Sequence, residues 1–205
     1  MGIFRLGLTG SIGTGKSTTA ALFRALGIPV HDADAAVHAL YAGKAAPLIE
    51  AAFPGTTKDG VVDRKVLAAR LKDQPEHFKT LEAIIHPLVR AAENAAIASA
   101  EAAGHPLIVL DVPLLYETGG DARCDAVLVT SVAADLQKAR VLARPGMTED
   151  FFHAILARQM PDAEKKARAH AILDTGHGIE AAARDIRTIL HQLVPDFVVT
   201  PSRTS

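Results

Sequence analysis

Cysteine is almost absent from this sequence, and that scarcity excludes two kinds of site. Cys124 is the single cysteine among 205 residues, so the chain can form neither an internal disulfide nor a zinc site built from several thiolates. The nine histidines form neither a His-Glu-x-x-His pattern nor a finger-like pairing with cysteine. We therefore interpret the histidines as structural residues rather than metal ligands.

An excess of charge of one sign and long apolar runs are lacking as well. Lys and Arg number 22 against 23 Asp and Glu, and a net charge of −1 gives no electrostatic reason to expect binding to nucleic acid or a membrane surface. The apolar run 106–110 is far too short to span a bilayer. Because the sequence runs directly into the first apolar run, we expect neither a basic leader nor a cleavable apolar segment. We expect a cytoplasmic protein with small-molecule partners, and the sequence leaves its oligomeric state open.

A glycine-rich segment near the start of the chain predicts a phosphate-binding loop. Gly10 is followed by four residues and then by Gly15, Lys16 and Ser17, a spacing that lets backbone N–H groups surround phosphates. Lys16 supplies a positive charge for the phosphates, and the Ser17 hydroxyl is a ligand for Mg²⁺. A glycine-rich surface turn is the alternative interpretation. The residues that we expect to bind a nucleoside triphosphate here are Gly10, Gly13, Thr14, Gly15, Lys16, Ser17 and Thr18.

Short apolar segments alternate with helix-favouring segments along the chain. This alternation predicts a parallel sheet with right-handed crossovers and helices on both faces. The expected fold is α/β, with three layers in the order α/β/α and a five-stranded parallel sheet. Its predicted strands are at 4–9, 28–31, 106–111, 126–130 and 171–174. We assign the core to 1–34, 105–145 and 170–195, a helical insertion to about 35–104, and a lid to about 146–169.

Three carboxylates follow predicted strands and are candidates for phosphoryl-transfer chemistry. After the second strand, one of Asp32 and Asp34 can orient a metal-bound water while the other accepts the proton of an attacking hydroxyl. The alternative is a solvated turn or an N-cap of the next helix. Asp111 ends the third strand, where it either supports the metal or caps the loop that follows.

Several cationic residues lie where they can reach a nucleotide. Arg140 and Arg144 are four residues apart on one predicted helix, so both are expected on the face that reaches the phosphates; an exposed basic face is the alternative. The segment from Arg158 to Arg168 is a candidate lid that excludes water. His86-Pro87 marks either a helix break with a buried histidine or a substrate contact, and the break is favoured.

The motifs occur in an order that is informative as a whole. After the phosphate loop come Asp32-Ala-Asp34, Asp59-Gly60 with Asp63-Arg64, Ile85-His-Pro-Leu-Val89, Pro113-Leu-Leu-Tyr-Glu117, Gln137 with Arg140 and Arg144, and Arg158-Gln159. Over most of the chain this order resembles the dephospho-coenzyme A kinase family, which belongs to the P-loop kinases together with the nucleoside monophosphate kinases. The His-Pro element and Pro-Leu-Leu-x-Glu are its more specific parts.

The resemblance implies a P-loop kinase fold and a defined reaction. The γ-phosphoryl group of ATP, bound with Mg²⁺, would pass to the ribose 3′-hydroxyl of dephospho-coenzyme A in the last step of coenzyme A synthesis. Asp34 is implied as the general base, Asp32 as the residue that assists the metal, and Arg140 as the cation that stabilises charge during transfer. The insertion would bind the acceptor, with Arg64 and His86 as contacts, and Asp34 is implied as a substrate-binding residue as well. The implied catalytic residues are thus Asp34, Lys16, Arg140 and Asp32.

Two other functions are compatible with a phosphate loop. One is a kinase for another small acceptor, such as a nucleoside monophosphate or shikimate. The other is a nucleotide-dependent switch, although the chain has no Asn-Lys-x-Asp motif of the kind that recognises guanine. Acceptor choice separates the kinases from each other and from a switch.

Overall fold

The computed structural model describes residues 2–72 and 74–194, so the predicted end of the core at residue 195 lies outside the described part. Contacts divide the chain into two units: the residues up to Val30 together with those from Ala100 onward, and residues 31–99. Each unit has its own hydrophobic core. Leu128 and Phe23 are fully buried in the first core, and Ile49 is fully buried in the second.

A five-stranded sheet provides the framework of the first unit, although the last two residues of its strand β2 are assigned to residues 31–99. Its strand order is β2 (Val30–Asp32), β5 (Leu107–Asp111), β1 (Phe4–Gly10), β6 (Ala126–Ser131) and β7 (Ala171–Asp174). Every residue of β5 and β6 is buried, as expected for parallel strands covered on both faces. Leu8 of β1 lies beside Asp111 on one side and Leu128 on the other. The carboxyl ends of the three central strands therefore meet at one edge, where sheets of this type bind ligands.

Alternate residues of β6 enter two different apolar clusters, which accounts for the three layers. Leu128 packs in the cluster that holds Phe23 of α1 (Lys16–Ala25) and Ile186 of α9 (Ile179–Leu193). Val127 and Val129 pack with Leu115 on the opposite face. The predicted α/β fold with a five-stranded parallel sheet is confirmed. The unit also contains α6 (Ala134–Leu142), α7 (Glu149–Leu156), α8 (Asp162–Arg168) and a 3-10 helix (Gly120–Arg123).

Residues 31–99 are mainly helical but include a hairpin that the sequence interpretation did not contain. Asp59 and Gly60 both have positive φ, 53° and 77°, which suits the two-residue turn of a hairpin. This turn pairs the two short strands in an antiparallel ladder. The elements are α2 (Ala33–Tyr41), α3 (Ala46–Ala52), β3 (Thr57–Lys58), β4 (Val61–Val62), α4 (Arg64–Leu71) and α5 (Pro75–Ala102), whose last residues belong to the first unit.

The favoured interpretation of His86-Pro87 as a helix break with a buried histidine is wrong. Helix α5 continues through Pro87, and His86 is exposed. Proline has no N–H to donate to the carbonyl of Ala83, which normally costs helix stability. Because both Ala83 and Pro87 are exposed, water can donate to that carbonyl instead. A substrate contact by His86 stays a prediction. Within residues 2–72 and 74–194, no helix combines the length and apolarity needed to cross a membrane.

Candidate active site

The segment between β1 and α1 is a tight loop that requires glycine at three positions. Gly13 and Gly15 have φ values of 81° and 88°, in the region that disfavours other residues. A Cβ on Gly10 would lie 2.1 Å from Oγ1 of Thr130, so there is no room for a side chain. Gly15 is the N-cap of α1 and has no side chain to cap it. The N–H groups of the first turn of α1 can therefore face an anion.

Three buried threonines hold the loop against the ends of β6 and β7. Thr14 donates from Oγ1 to the Ser11 carbonyl at 2.8 Å and lies 2.8 Å from Oγ1 of Thr130. Thr175 donates to the Thr14 carbonyl at 2.9 Å. The sequence interpretation missed Thr130 and gave Thr175 no role. The available signal was that both are polar residues at the carboxyl ends of largely apolar strands.

Lys16 forms an ion pair with Asp111 across the edge of the sheet. Lys16 Nζ lies 2.6 Å from Asp111 Oδ1, and both side chains are largely buried. The parallel pairing of β1 with β5 brings the two residues together although they are 95 positions apart. Neither interpretation of Asp111 from the sequence included this contact. Support of a metal by Asp111 stays a prediction.

A cavity of about 340 Å³ lies beside the loop, and both Arg140 and Arg144 line it. The prediction that they share one helix is wrong, because α6 ends at Leu142 and Arg144 lies in the following turn. Pro145 disfavours helical backbone at the residue before it, which accounts for this end. Arg144 is exposed. The other lining residues are Gly13, Gly15, Thr18, Thr19, Leu22, Thr175, Gly178, Ile179 and Ala182.

Arg140 is fixed in place by the residue that follows β7. Its Nη1 donates to Oγ1 of Thr175, and its Nη2 donates to the carbonyl of the same residue, each at 2.9 Å. The side chain is only partly exposed. The alternative of a freely exposed basic face therefore does not describe Arg140. A guanidinium group has five N–H donors, so Arg140 retains donors for a phosphate.

Asp32 and Asp34 lie at the start of α2, in the unit of residues 31–99. Asp32 ends β2 and caps the helix, because its Oδ1 accepts the N–H of Ala35 at 2.9 Å. The N-cap alternative is therefore correct for Asp32, and it leaves the predicted metal role untested. Asp34 is exposed in the first turn of the helix. Its carboxylate lies at the end of a helix that favours negative charge.

The two other predicted acceptor contacts are also exposed residues of this unit. Arg64 begins α4 directly after its N-cap Asp63, and its guanidinium carbon lies 5.4 Å from the ring centroid of Tyr41. His86 lies on the surface of α5. Both side chains are accessible to a ligand, and their roles stay predictions.

The predicted lid, residues 146–169, contains α7 and α8 and is anchored by Glu117. Glu117 Oε1 accepts the N–H of Met160 at 2.8 Å and lies 2.9 Å from Nζ of Lys165, whose side chain is fully buried. Burial alone would raise the pKa of Glu117. The hydrogen bonds from Lys165 and Met160 outweigh that effect and hold the pKa of this carboxyl below its usual value.

The few oxygen donors near the loop suit Mg²⁺, which takes only one or two ligands from a protein, better than a metal ion that takes all of its ligands from the protein. In the part of the chain that the structure describes, no three His, Cys, Asp or Glu residues form a metal-binding group. Mg²⁺ commonly takes one or two protein oxygens and completes its shell with water and substrate phosphates. Ser17 is exposed in the first turn of α1 and offers such a hydroxyl. The donor chemistry therefore fits the ion.

Comparisons with known proteins agree with the motif resemblance. The family model described as dephospho-CoA kinase matches residues 4–180. The dephospho-CoA kinase of Mesorhizobium japonicum is 58% identical over 188 residues, covering 92% of this chain and 95% of that protein. That of Rhodopseudomonas palustris is 56% identical over 185 residues, covering 90% and 93%.

Solved structures also resemble this chain in three dimensions. TT1252 from Thermus thermophilus superposes with a TM-score of 0.82 at 34% identity, covering 95% of this chain and 100% of that chain. A shikimate kinase from Bacteroides thetaiotaomicron superposes with a TM-score of 0.52 at 16% identity, covering 92% and 98%. The second similarity concerns the fold alone.

Proposed function

The chain belongs to the dephospho-CoA kinase family, and from this premise we propose which of its residues perform the family's reaction. The enzyme transfers the γ-phosphoryl group of ATP to the ribose 3′-hydroxyl of dephospho-CoA, giving CoA and ADP. The observation that carries the residue assignment is the uncapped glycine loop, with Lys16 at its end and a cavity of about 340 Å³ beside it.

In this proposal the loop and the cavity together bind ATP. Backbone N–H groups from Gly13 to Thr18 and the charge of Lys16 hold the phosphates, which take over the position of the Asp111 carboxylate as partner of Lys16. Leu22, Ile179 and Ala182 give the cavity apolar surface suited to the nucleoside. Arg140 and Arg144 spread the negative charge that develops during transfer.

We assign Mg²⁺ to oxygen ligands of the protein and of ATP. Ser17 and Asp32 are the proposed protein ligands, both being hard oxygen donors. The ion neutralises charge on the phosphates when it is bound.

The proposed acceptor side of the reaction uses the insertion of about 35–104. Asp34 accepts the proton of the 3′-hydroxyl as its oxygen forms a bond to the γ-phosphorus, while the bond from that phosphorus to the bridging oxygen of ADP breaks. Arg64 and His86 contact the acceptor, and their exposure supports this role. The lid of about 146–169 excludes water during transfer. We also propose a cytoplasmic location, supported by the scarcity of cysteine, since Cys124 is the single cysteine of the sequence.

An acceptor assay with one matched pair of variants tests this assignment. Purified protein with Mg²⁺ and ATP is expected to release ADP on adding dephospho-CoA and not on adding shikimate or a nucleoside monophosphate. Asp34→Asn is expected to lower kcat by about 10²–10⁴-fold with little change in ATP affinity, because general-base assistance contributes that much.

Asp135→Asn is the control for Asp34→Asn. Asp135 is also an exposed carboxylate at the second position of a helix, α6, so loss of helix-dipole stabilisation is the same in both variants. Unchanged turnover in Asp34→Asn, or an equal loss in Asp135→Asn, would remove Asp34 from the mechanism. ADP release that ignores dephospho-CoA would contradict the proposed reaction itself.

A further inference from the structure

Ile12, in the middle of the phosphate loop, is held by two glutamine side chains from different elements. Gln137 of α6 donates from Nε2 to the Ile12 carbonyl at 2.7 Å. Gln159, between α7 and α8, accepts the Ile12 N–H at Oε1, at 3.0 Å. We propose that Gln137 and Gln159 are positioning residues that set the conformation of the phosphate loop for ATP, an inference that rests on the proposed binding of ATP at this loop.

The chemistry of the two bonds fixes the orientation of both side-chain amides. A backbone N–H can only donate, so Gln159 must present its oxygen to Ile12. A carbonyl can only accept, so Gln137 must present its nitrogen. One glutamine therefore acts as an acceptor and the other as a donor toward the same residue, and a single kind of substitution affects them in opposite ways.

These bonds set the direction of peptide groups that belong to the loop. A trans peptide is planar, with its C=O and N–H pointing in opposite directions. The bond from Gln137 to the Ile12 carbonyl therefore also sets the direction of the Gly13 N–H. Gly13 has φ 81° and no Cβ, so its own backbone restricts this peptide weakly. The restraint must come from neighbouring side chains, and Gln137 supplies one.

Gln159 is itself anchored through the next residue. The N–H of Met160 donates to Glu117 at 2.8 Å, and Glu117 contacts the fully buried Lys165. The part of the predicted lid that carries Gln159 is thus fixed, through Glu117, to the loop that follows β5. The hydrogen bond from the Ile12 N–H to Gln159 then joins this anchored segment to the phosphate loop.

A purely structural role for the two glutamines makes a different prediction from a positioning role. Structural residues change the thermal midpoint of the nucleotide-free protein and affect both substrates alike. Positioning residues of the phosphate loop change the Kd and KM for ATP and leave the KM for dephospho-CoA unchanged.

The same Gln→Glu substitution at the two positions provides the test. At 159 the new carboxylate still accepts the Ile12 N–H, whereas at 137 it has no proton to donate and faces the Ile12 carbonyl. Both variants place one negative charge beside the same residue, so its repulsion of ATP is common to both. We expect Gln137→Glu to raise the Kd for ATP above that of Gln159→Glu by about 2- to 12-fold, the value of one neutral hydrogen bond.

A third variant, Gln159→Leu, removes the acceptor without adding charge. It is expected to raise the Kd for ATP by about the same 2- to 12-fold, with no change in the KM for dephospho-CoA. If Gln137→Glu does not fold, Gln159→Leu and Gln159→Glu still distinguish a positioning role from a purely structural one. The measurements are the Kd for ATP from calorimetry and the thermal midpoint. The inference is overturned if the two Glu variants weaken ATP binding equally, or if Gln159→Leu changes the thermal midpoint alone. A wild-type protein that does not phosphorylate dephospho-CoA would contradict the proposed function instead.

Discussion

Arg140 and Arg144 both line the cavity, yet their surroundings give them different properties. Two hydrogen bonds to Thr175 orient the guanidinium group of Arg140. Arg144 is exposed, beyond the end of α6. An oriented donor loses less conformational entropy when it contacts a phosphate than a mobile one does. This difference supports the proposal that Arg140, more than Arg144, stabilises charge in transfer, and that role stays a prediction.

Gly13→Ala is expected to destabilise the protein more than Gly27→Ala. Both glycines have positive φ, 81° and 75°, so each substitution pays roughly 1–2 kcal/mol of backbone strain. A Cβ on Gly13 would also lie 2.5 Å from Cγ2 of the fully buried Val141, whereas one on Gly27 would meet nothing within 4 Å. Overpacking adds about 1–3 kcal/mol. Urea unfolding of the two variants measures the difference, and equal losses would show that the loop yields to a methyl group.

The sequence predicts the elements that have a clear local pattern. It does not predict a helix that continues through a proline or a hairpin whose strands are very short. The apolar runs that form β5 and β6 were identified because strands covered on both faces leave a continuous signal. Helix α5 continues through Pro87 because solvent exposure offsets the lost hydrogen bond, and exposure depends on tertiary packing. The hairpin at Asp59-Gly60 rests on only two residues per strand, too few for a periodic pattern.

At the element scale, the anchoring of α8 by Glu117 predicts a pH-dependent stability. The pKa of Glu117 is lower in the folded protein than its usual 4.5, as burial is outweighed by the bonds from Lys165 and Met160. A carboxyl with a depressed folded pKa stabilises the fold fully above its unfolded pKa and loses that contribution as the pH falls through the folded value. Glu117→Gln is expected to lower the free energy of unfolding by about 1.5–3 kcal/mol at neutral pH, because the buried Lys165 loses its opposite charge and keeps only an amide oxygen as its partner.

The difference between wild type and Glu117→Gln is the quantity to follow. It should be constant above about pH 4.5 and shrink below it, since protonated Glu117 resembles glutamine. Glu164→Gln, on the exposed side of the same helix, is the control and should change stability by no more than about 0.5 kcal/mol. A difference that is independent of pH down to acid unfolding would show that Glu117 carries no charge in the folded protein.

At the scale of the whole molecule, the candidate site is built from contacts between distant parts of the chain. The glycine loop and Lys16 form a local motif, and the sequence was sufficient to identify them. The partner of Lys16 depends on β5 lying beside β1, and the contact of Gly10 with Thr130 depends on β6 lying on the other side. Strand order follows from the packing of all the elements together. Strand order cannot be inferred from any one segment of the sequence, and for this reason the sequence analysis does not assign these contacts to Asp111, Thr130 and Thr175.

The core within residues 31–99 is separate from the core that holds Leu128, which predicts that a cavity made in one unit loosens mainly that unit. Ile49 is fully buried in the cluster formed within residues 31–99, and Leu128 is fully buried in the cluster that also holds Phe23. Ile49→Ala and Leu128→Ala each remove comparable apolar volume and should cost about 2–5 kcal/mol. Regions with independent cores open in separate cooperative steps, which amide hydrogen exchange resolves.

We expect Ile49→Ala to accelerate amide exchange most in α3, α4 and the part of α5 within residues 31–99, and Leu128→Ala to accelerate it most in β1, β5 and β6. Arg64 and His86, which we propose contact the acceptor, belong to residues 31–99. Ile49→Ala should therefore also raise the KM for dephospho-CoA more than the Kd for ATP. The opposite pattern is expected for Leu128→Ala, since β6 supports the phosphate loop through Thr130. Equal acceleration across both units in either variant would mean that the two cores unfold as one, and the separation of acceptor and ATP effects would then lose its physical basis.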